Sequence, residues 1–202
     1  MTEAEQLLLK QASKGNAQAF EALILPHQSR IYGVCLRMMG NPDDAMDAVQ
    51  ETMIRTYMKL STFKHEAQFS TWLYRIATNI CLDMLRRRKR HDTVSMDALE
   101  DNGAWLPDAK ENRPEESALR RDGKASVEAA LMQLSPRHRL MLVLREVQGF
   151  SYEDIAKVTH TSLGTVKSRI FRARREMQMN LEKQELSDCI GVKESERSGM
   201  LL

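Results

Sequence analysis

The stretch that decides the fold runs from Ser151 to Met177 and reads SYEDIAKVTHTSLGTVKSRIFRARREM. Ser151 followed by Asp154 resembles a capping box and opens a short helix. His160-Thr161-Ser162 is a three-residue turn, and a second helix starts at Leu163. In that second helix Leu163, Val166, Ile170, Ala173 and Met177 recur at steps of three and four, which makes one apolar stripe. Ile155 and Ala156 of the short helix can face it, the small alanine allowing close approach. A short helix, a tight turn and a longer helix form a helix-turn-helix. The outward side of the second helix carries Gly164, Thr165, Ser168, Phe171, Arg172 and Arg175, flanked by Lys167 and Arg169. A major groove is wide enough for such a helix, and arginine can read guanine edges with two hydrogen bonds. The competing reading is a solvated basic helix on some other bundle. The turn usually asks for Gly or Asn at positive φ, yet His160 stands there, a residue that tolerates that region better than most.

Outward from this motif the chain reads as all-α. It has 202 residues, with 42% hydrophobic and 29% charged, enough apolar content for packed cores. Five Pro and nine Gly are few, and β-branched and aromatic content is modest. Upstream, a short helix through Ala12 stops near Lys14-Gly15-Asn16, and a longer one is predicted from Ala17 to Met39, closed by Gly40. Asn41-Pro42-Asp43-Asp44 reads as an N-cap, a proline at the first helical position and two acids favoured by the helix dipole. That helix continues to about Leu60. Ser61 to Gln68 is a loop, and Thr71 to Arg90 is a helix with a basic end. Ser135-Pro136 opens a helix through Val147 that Gly149 ends. The expected division is a helical domain over 1–90, an acidic irregular linker over 91–115, a helix-turn-helix domain over 116–179 and a disordered tail over 180–202.

The formal net charge of +2 conceals segregation. Arg86 to Arg90 is a five-residue basic run, whereas His91 to Ala118 holds eight acids against Lys110 and Arg113. Nucleic acid responds to such local fields more than to the total. The linker's charges extend it by self-repulsion. An extended anionic strand can thread a basic nucleic-acid channel, with Leu99, Trp105 and Leu106 as apolar anchors, and a soluble spacer is the plainer alternative. Cys35, Cys81 and Cys189 have no metal spacing and read as idle thiols of a reducing cytoplasm. No run of eighteen apolar residues and no signal peptide is read, so neither membrane insertion nor export is expected.

Two further helices carry candidate function. In Phe69 to Arg90, Trp72, Ile76, Ile80 and Met84 can face a core while Arg75, Asn79, Asp83 and Arg86 form another stripe. Aromatic and basic groups together suit single-stranded DNA, because bases stack on rings and phosphates pair with cations. Aromatics at helical spacing are also ordinary core residues. In Asp47 to Tyr57, Met46, Val49, Met53, Tyr57 and Leu60 make the expected inward stripe. The other side offers Asp47, Gln50, Glu51, Ile54 and Met58, where apolar groups beside carboxylates suggest a protein-binding face and a solvated face is the alternative.

Together these segments resemble the extracytoplasmic-function class of bacterial RNA polymerase sigma factors. DAVQETMIRTY (47–57) is similar to the region that grips the polymerase clamp helices, FSTWLYRIATNICLDMLRRRKR (69–90) resembles the minus-ten recognition region, and LSPRHRLMLVLREVQGFSYEDIAKVTHTSLGTVKSRIFRARREM (134–177) resembles the minus-thirty-five domain. The resemblance covers roughly Gln6 to Met177 in the family's order. It implies that Asp47, Gln50, Glu51 and Ile54, with neighbouring Met58, contact core polymerase. It implies that Asn79 and Phe63, with the 61–68 loop and beside Arg75 and Arg86, hold a base flipped from the minus-ten strand. It implies that Lys167, Ser168, Arg169, Phe171 and Arg172 touch the minus-thirty-five duplex. Expected partners are core RNA polymerase and promoter DNA, with a membrane or soluble anti-sigma factor as a further candidate. Neither cofactor nor metal is implied. A free-standing DNA-binding regulator is the competing function. A nuclease built on Asp43, Asp44, Asp47 and Glu51 is disfavoured, since two of these acids serve a helix start and no His or Cys joins them.

Overall fold

A computed structural model describes residues 2–64, 67–95 and 116–198. Regular structure among them is helical throughout: α1 Glu3–Ala12, α2 Ala17–Ile24, α3 Gln28–Met39, α4 Pro42–Lys59, α5 Phe69–Ser95, α6 Glu116–Gln133, α7 Pro136–Leu142, α8 Tyr152–Thr159 and α9 Leu163–Ser198. The first five form one helical domain and the last four a second, which contains the helix-turn-helix α8–α9. Leu99, Trp105, Leu106 and most of the acidic linker lie outside the described residues.

Local chemistry sets most of the boundaries. Asn41 caps α4 through a 2.8 Å bond from the Asp44 N–H, with Pro42 in the first turn. Gly40 closes α3 at φ 84, a left-handed conformation that costs glycine nothing. Ser135 and Ser151 cap α7 and α8 in the same way as Asn41 caps α4. The single helix expected from Ala17 to Met39 is instead two, α2 and α3, joined by a 3-10 turn over Leu25–His27. Pro26 causes the break, since it has no N–H to donate and its ring collides with the carbonyl four residues back. The helix from Ser135 through Val147 also changes gauge, widening to a π turn over Val143–Val147 before Gly149 at φ 71.

The inward face of α4 differs from the expected stripe. Ala45, Ala48, Thr52 and Thr56 are fully buried, while Met46 and Tyr57 are 47% and 44% exposed. The helix is turned by about one residue, which brings small side chains against α3 and α5. Two buried threonine hydroxyls are satisfied locally, Thr52 and Thr56 each donating to the carbonyl four residues back at 2.6 Å. A threonine bonded in this way packs as a small apolar residue. Val49 and Met53 pack at the edge of the core, and Tyr57 meets the Phe20 ring edge-on at 5.0 Å.

The second domain closes around Leu131, Leu134, the run Leu140 to Leu144, Ile155, Val158, Val166, Ile170 and Ala173. Leu163, expected in the apolar stripe, sits at its margin with 37% exposure. Helix α9 runs on to Ser198, where the sequence reading expected a tail without structure. Asn180 donates to the Ala130 carbonyl of α6 at 3.2 Å, and Gln184 lies within reach of the Ser126 carbonyl, so polar side chains beyond the apolar stripe still tie α9 to α6.

One buried charge holds the junction. Arg139 is 5% exposed. Its guanidinium donates to the carbonyls of Leu131 (3.2 Å), Leu134 (3.2 Å) and Met132 at the end of α6, and to Met38 (2.6 Å) at the end of α3. Helix C-termini leave such carbonyls without intrahelical donors and carry partial negative charge. Desolvation lowers the Arg139 pKa to about 10, which still leaves it protonated at neutral pH. Replacing it by Met should cost about 3 kcal/mol of stability, the upper part of the range for buried polar groups left without partners. Arg139→Lys should recover less than half, because an ammonium cannot fork between several carbonyls. Urea denaturation of both variants checks this.

Candidate nucleic-acid and protein interfaces

Three surfaces carry groups that no packing role accounts for. The first is the outer face of α4. Asp47 and Gln50 are exposed, Glu51 is half-buried and pairs with Arg55, and Ile54 and Met58 are 55% and 74% exposed. A groove separates this face from α5 and is lined by Asp47, Gln50, Ile54, Asp83, Met84 and Arg87. The stretch from Asp47 to Tyr57 showed one wall of the groove, and the other wall was missed because only packing brings Met84 and Arg87 opposite it. Arg87 belongs to the exposed basic run beside Arg86, whereas Met84 was read as core-facing and is half-buried at the core's edge.

The second surface is α5. Asn79 is exposed, and Trp72 and Ile80 are buried beneath it. Arg86 is exposed and paired with Asp83 at 2.8 Å, and the basic run continues as a shallow groove of Arg86, Arg87, Lys89 and Arg90. Arg88 reaches Asp44 of α4 at 3.2 Å. Two expected base contacts are placed differently. Phe63 is 8% exposed, with its ring 5.3 Å from Trp72 and 5.9 Å from Phe69, edge-on to the latter. A ring committed to two aromatic neighbours lines the core, where the expectation was that it holds a flipped base. Arg75 is half-buried, its guanidinium 2.9 Å from the His160 ring of the second domain.

The third surface is the outer side of the helix-turn-helix. His160 adopts φ 49 and ψ 47, as the turn requires, and its N–H bonds to the Ala156 carbonyl. Ser162 caps α9, accepting from the Thr165 N–H at 3.2 Å. Lys167, Ser168 and Arg172 are exposed, Arg169 is half-buried and Phe171 is 70% exposed. Arg174 is tied to Glu146 at 2.6 Å, which leaves Arg172 and Arg175 as the outward guanidinium groups of this segment. Buried Val166, Ile170 and Ala173 anchor the opposite side, so the outward groups sit on a rigid helix.

A chain with this order of surfaces matches the Sigma-70 region 2 model over residues 23–91 and the Sigma-70 region 4 model over residues 124–177. It is 39% identical over 175 residues to RNA polymerase sigma-H factor of Pseudomonas aeruginosa, spanning 85% of this chain and 91% of that one. It belongs to the extracytoplasmic-function class of RNA polymerase sigma factors. A second member, SigW of Bacillus subtilis, is 31% identical over 86% of this chain and 94% of its own length. Among solved structures, the sigma factor RpoE in complex with the anti-sigma factor NepR from Bartonella quintana aligns with TM-score 0.65 and 26% identity, over 82% of this chain and 98% of that one. CnrH, in complex with the cytosolic domain of CnrY, aligns with TM-score 0.62 and 25% identity, over 90% and 99%. The sigma factor directs promoter-specific initiation with core RNA polymerase and promoter DNA as its partners. No helix among the described residues is long and apolar enough to cross a membrane, and no cluster of metal-ligating side chains gathers among them.

The aromatic wall yields a direct test. Phe63→Ala opens a hole beside Phe69 and Trp72 and should destabilise the chain by about 3–5 kcal/mol. Phe63→Leu, which refills most of the volume but offers no aromatic face, should restore most of that stability. Thermal unfolding of the two variants separates a packing role from a base-stacking one.

Proposed function

We propose that the three surfaces divide the work of the sigma factor. The α4 face of Asp47, Gln50, Glu51, Ile54 and Met58 docks on core polymerase. Asn79 and Arg86 of α5, with Arg75 once it is released from His160, take the melted minus-ten strand. Lys167, Ser168, Arg169, Phe171 and Arg172 of α9 lie in the minus-thirty-five major groove. The observation that carries this reading is the pair Ile54 and Met58, at 55% and 74% exposure, standing among carboxylates on the side of α4 that no other described helix covers. Apolar side chains in water with an acidic rim fit a basic protein partner, whose charge also steers encounter. On α9 the support is the combination of guanidinium, hydroxyl and ring on an outward helical face, which suits guanine edges and thymine methyl groups. Asn79 supplies both donor and acceptor to an extruded base. The reading needs no catalytic group, and its compartment is the polymerase's own, the cytoplasm. An anti-sigma factor is a further proposed partner, by analogy with the solved relative from Bartonella quintana, which is described in complex with one.

Asp47→Lys combined with Glu51→Lys reverses two charges outside the buried face. Affinity for core polymerase should fall at least about tenfold, in line with like charges facing across an interface, while circular dichroism stays unchanged. Unaltered affinity would remove α4 as the docking face.

Arg172 and Arg175 should separate in a promoter library. Arg172→Ala should relax preference at one position by about 1–3 kcal/mol, whereas Arg175→Ala should weaken all sequences alike. Equal, uniform losses in both variants would withdraw the base-reading role from Arg172.

A further inference from the structure

Much of the sulfur in the described residues is shut away from water. Cys35 and Cys81 are fully buried, and Met38, Met39 and Met141 are at most 4% exposed. Met58 stands at the other extreme. At 74% it is the most exposed methionine among the described residues, ahead of Met46 at 47% and Met179 at 43%. Its place on α4 gives that exposure a consequence. Met46, Gln50, Ile54 and Met58 follow one another at steps of four and so stand on one ridge of the helix. Met46, Ile54 and Met58 are the apolar members of the ridge, with Asp47 and Glu51 beside them. A protein that docks on this face seats its apolar contact on these side chains. Two of the three are thioethers, and Met58 is the more open.

A thioether is an apolar side chain that mild oxidation makes polar. A thiol must first lose its proton to react, whereas a thioether sulfur attacks as it stands, so exposure governs which methionines are oxidised. With a peroxide the sulfur lone pair attacks one oxygen and the O–O bond breaks. The transferred hydroxyl then gives its proton to the departing hydroxide. Sulfoxide and water are the products, the sulfur giving up two electrons and the peroxide accepting them. Hydrogen peroxide is uncharged, so the carboxylates of Asp47 and Glu51 do not repel it. The fold does not resist the change, because Met58 takes no part in the core and a sulfoxide oxygen there projects into water.

We propose that Met58 is an oxidation site that switches polymerase docking: in the free sigma factor a peroxide converts it to the sulfoxide, and the polar S=O group withdraws the apolar anchor from the α4 face. Methionine sulfoxide reductases restore the thioether, so the switch is reversible. Docked polymerase covers the same sulfur, so a sigma factor already on core is spared and the free pool alone is silenced. The inference rests on the assignment of α4 as the docking face under Proposed function.

The test treats the free full-length chain with hydrogen peroxide, locates the added oxygen by peptide mass spectrometry and measures affinity for core polymerase before and after. Met58 should gain oxygen ahead of the other described methionines. Affinity should then fall by about tenfold or more, the loss that follows when one buried apolar anchor of an interface becomes polar, with circular dichroism unchanged. Reductases of the A and B types together, one for each sulfoxide epimer, should return it. Met58→Leu cannot form a sulfoxide, so whatever its own starting affinity, peroxide should change that affinity little, although Met46 and Met179 are still open to attack. In assembled holoenzyme Met58 should oxidise more slowly than in the free chain. A fall in Met58→Leu as large as the parent's, or full oxidation of Met58 with no fall, overturns the switch. Met58→Gln, which places a polar group where the sulfoxide forms, separates this from failure of the docking assignment. If Met58→Gln binds core as tightly as the parent, Met58 is no docking residue and the switch falls with that assignment. If it binds weakly and oxidation does not reproduce the loss, the docking face stands and the switch alone is overturned.

Discussion

The guanidinium of Arg139 lies almost out of water among the carbonyl ends of two helices from different domains. Its hydrogen bonds answer a problem that any helix end poses, since the last carbonyls of a helix lack intrahelical donors. One planar group with five N–H bonds serves both ends at once, which neither a lysine nor an apolar side chain can do. Desolvation penalises the charge, as the lowered pKa records, and the surrounding carbonyl dipoles offset that penalty. The end of α6, the start of α7 and the seating of the second domain against α3 all meet at this residue.

The same economy of polar groups runs through the interior. Thr52 and Thr56 return their hydroxyls to their own helix, which lets α4 approach its neighbours closely while its outer side remains free for a partner. Cys35 and Cys81 are both fully buried with sulfur atoms 3.7 Å apart, and the Cys81 thiol is pushed up by its bond to Cys35 and by burial. Both side chains pack as small apolar groups. Arg139 apart, charge among the described residues lies at the surface and is sorted there: a basic end on α5, a basic outward face on α9 and carboxylates on α4. Charge segregated in this way gives different regions of one surface fields of opposite sign.

Much of this was legible in the sequence because it depends on near neighbours. The caps at Asn41, Ser135 and Ser151, the left-handed ends at Gly40 and His160 and the stripe of Val166, Ile170 and Ala173 are each set within four residues, and each stands where it was read. The exposure of Ile54, Met58, Phe171 and Arg172 followed from the same periodicity, seen from its polar side. Pro26 was a local signal too, but it was overlooked inside a strongly amphipathic stretch, and it divides the helix expected across it. Where α4 turns its face was not a local matter. Met46, Val49, Met53 and Tyr57 make the more hydrophobic stripe, yet the close approach of α3 and α5 selects the smaller side chains one residue away.

The sequence by itself determined the helices, their ends, the helix-turn-helix and the sorting of charge, because capping, periodicity and turn chemistry act over a few residues and need no partner. Only the tertiary structure decided what those helices do to one another. Phe63 reads as a ring open to a base and is enclosed by Phe69 and Trp72, and Arg75 reads as a DNA contact and is held by His160, 85 residues further along the chain. Asn180 and Gln184 look like the start of an unstructured tail and instead bind α9 to α6. For Arg75, Asn180 and Gln184 the partner is distant in sequence, and for Phe63 the turn before α5 has to fold back on that helix, so each position depends on a free-energy balance summed over many contacts that no pattern of residue types contains.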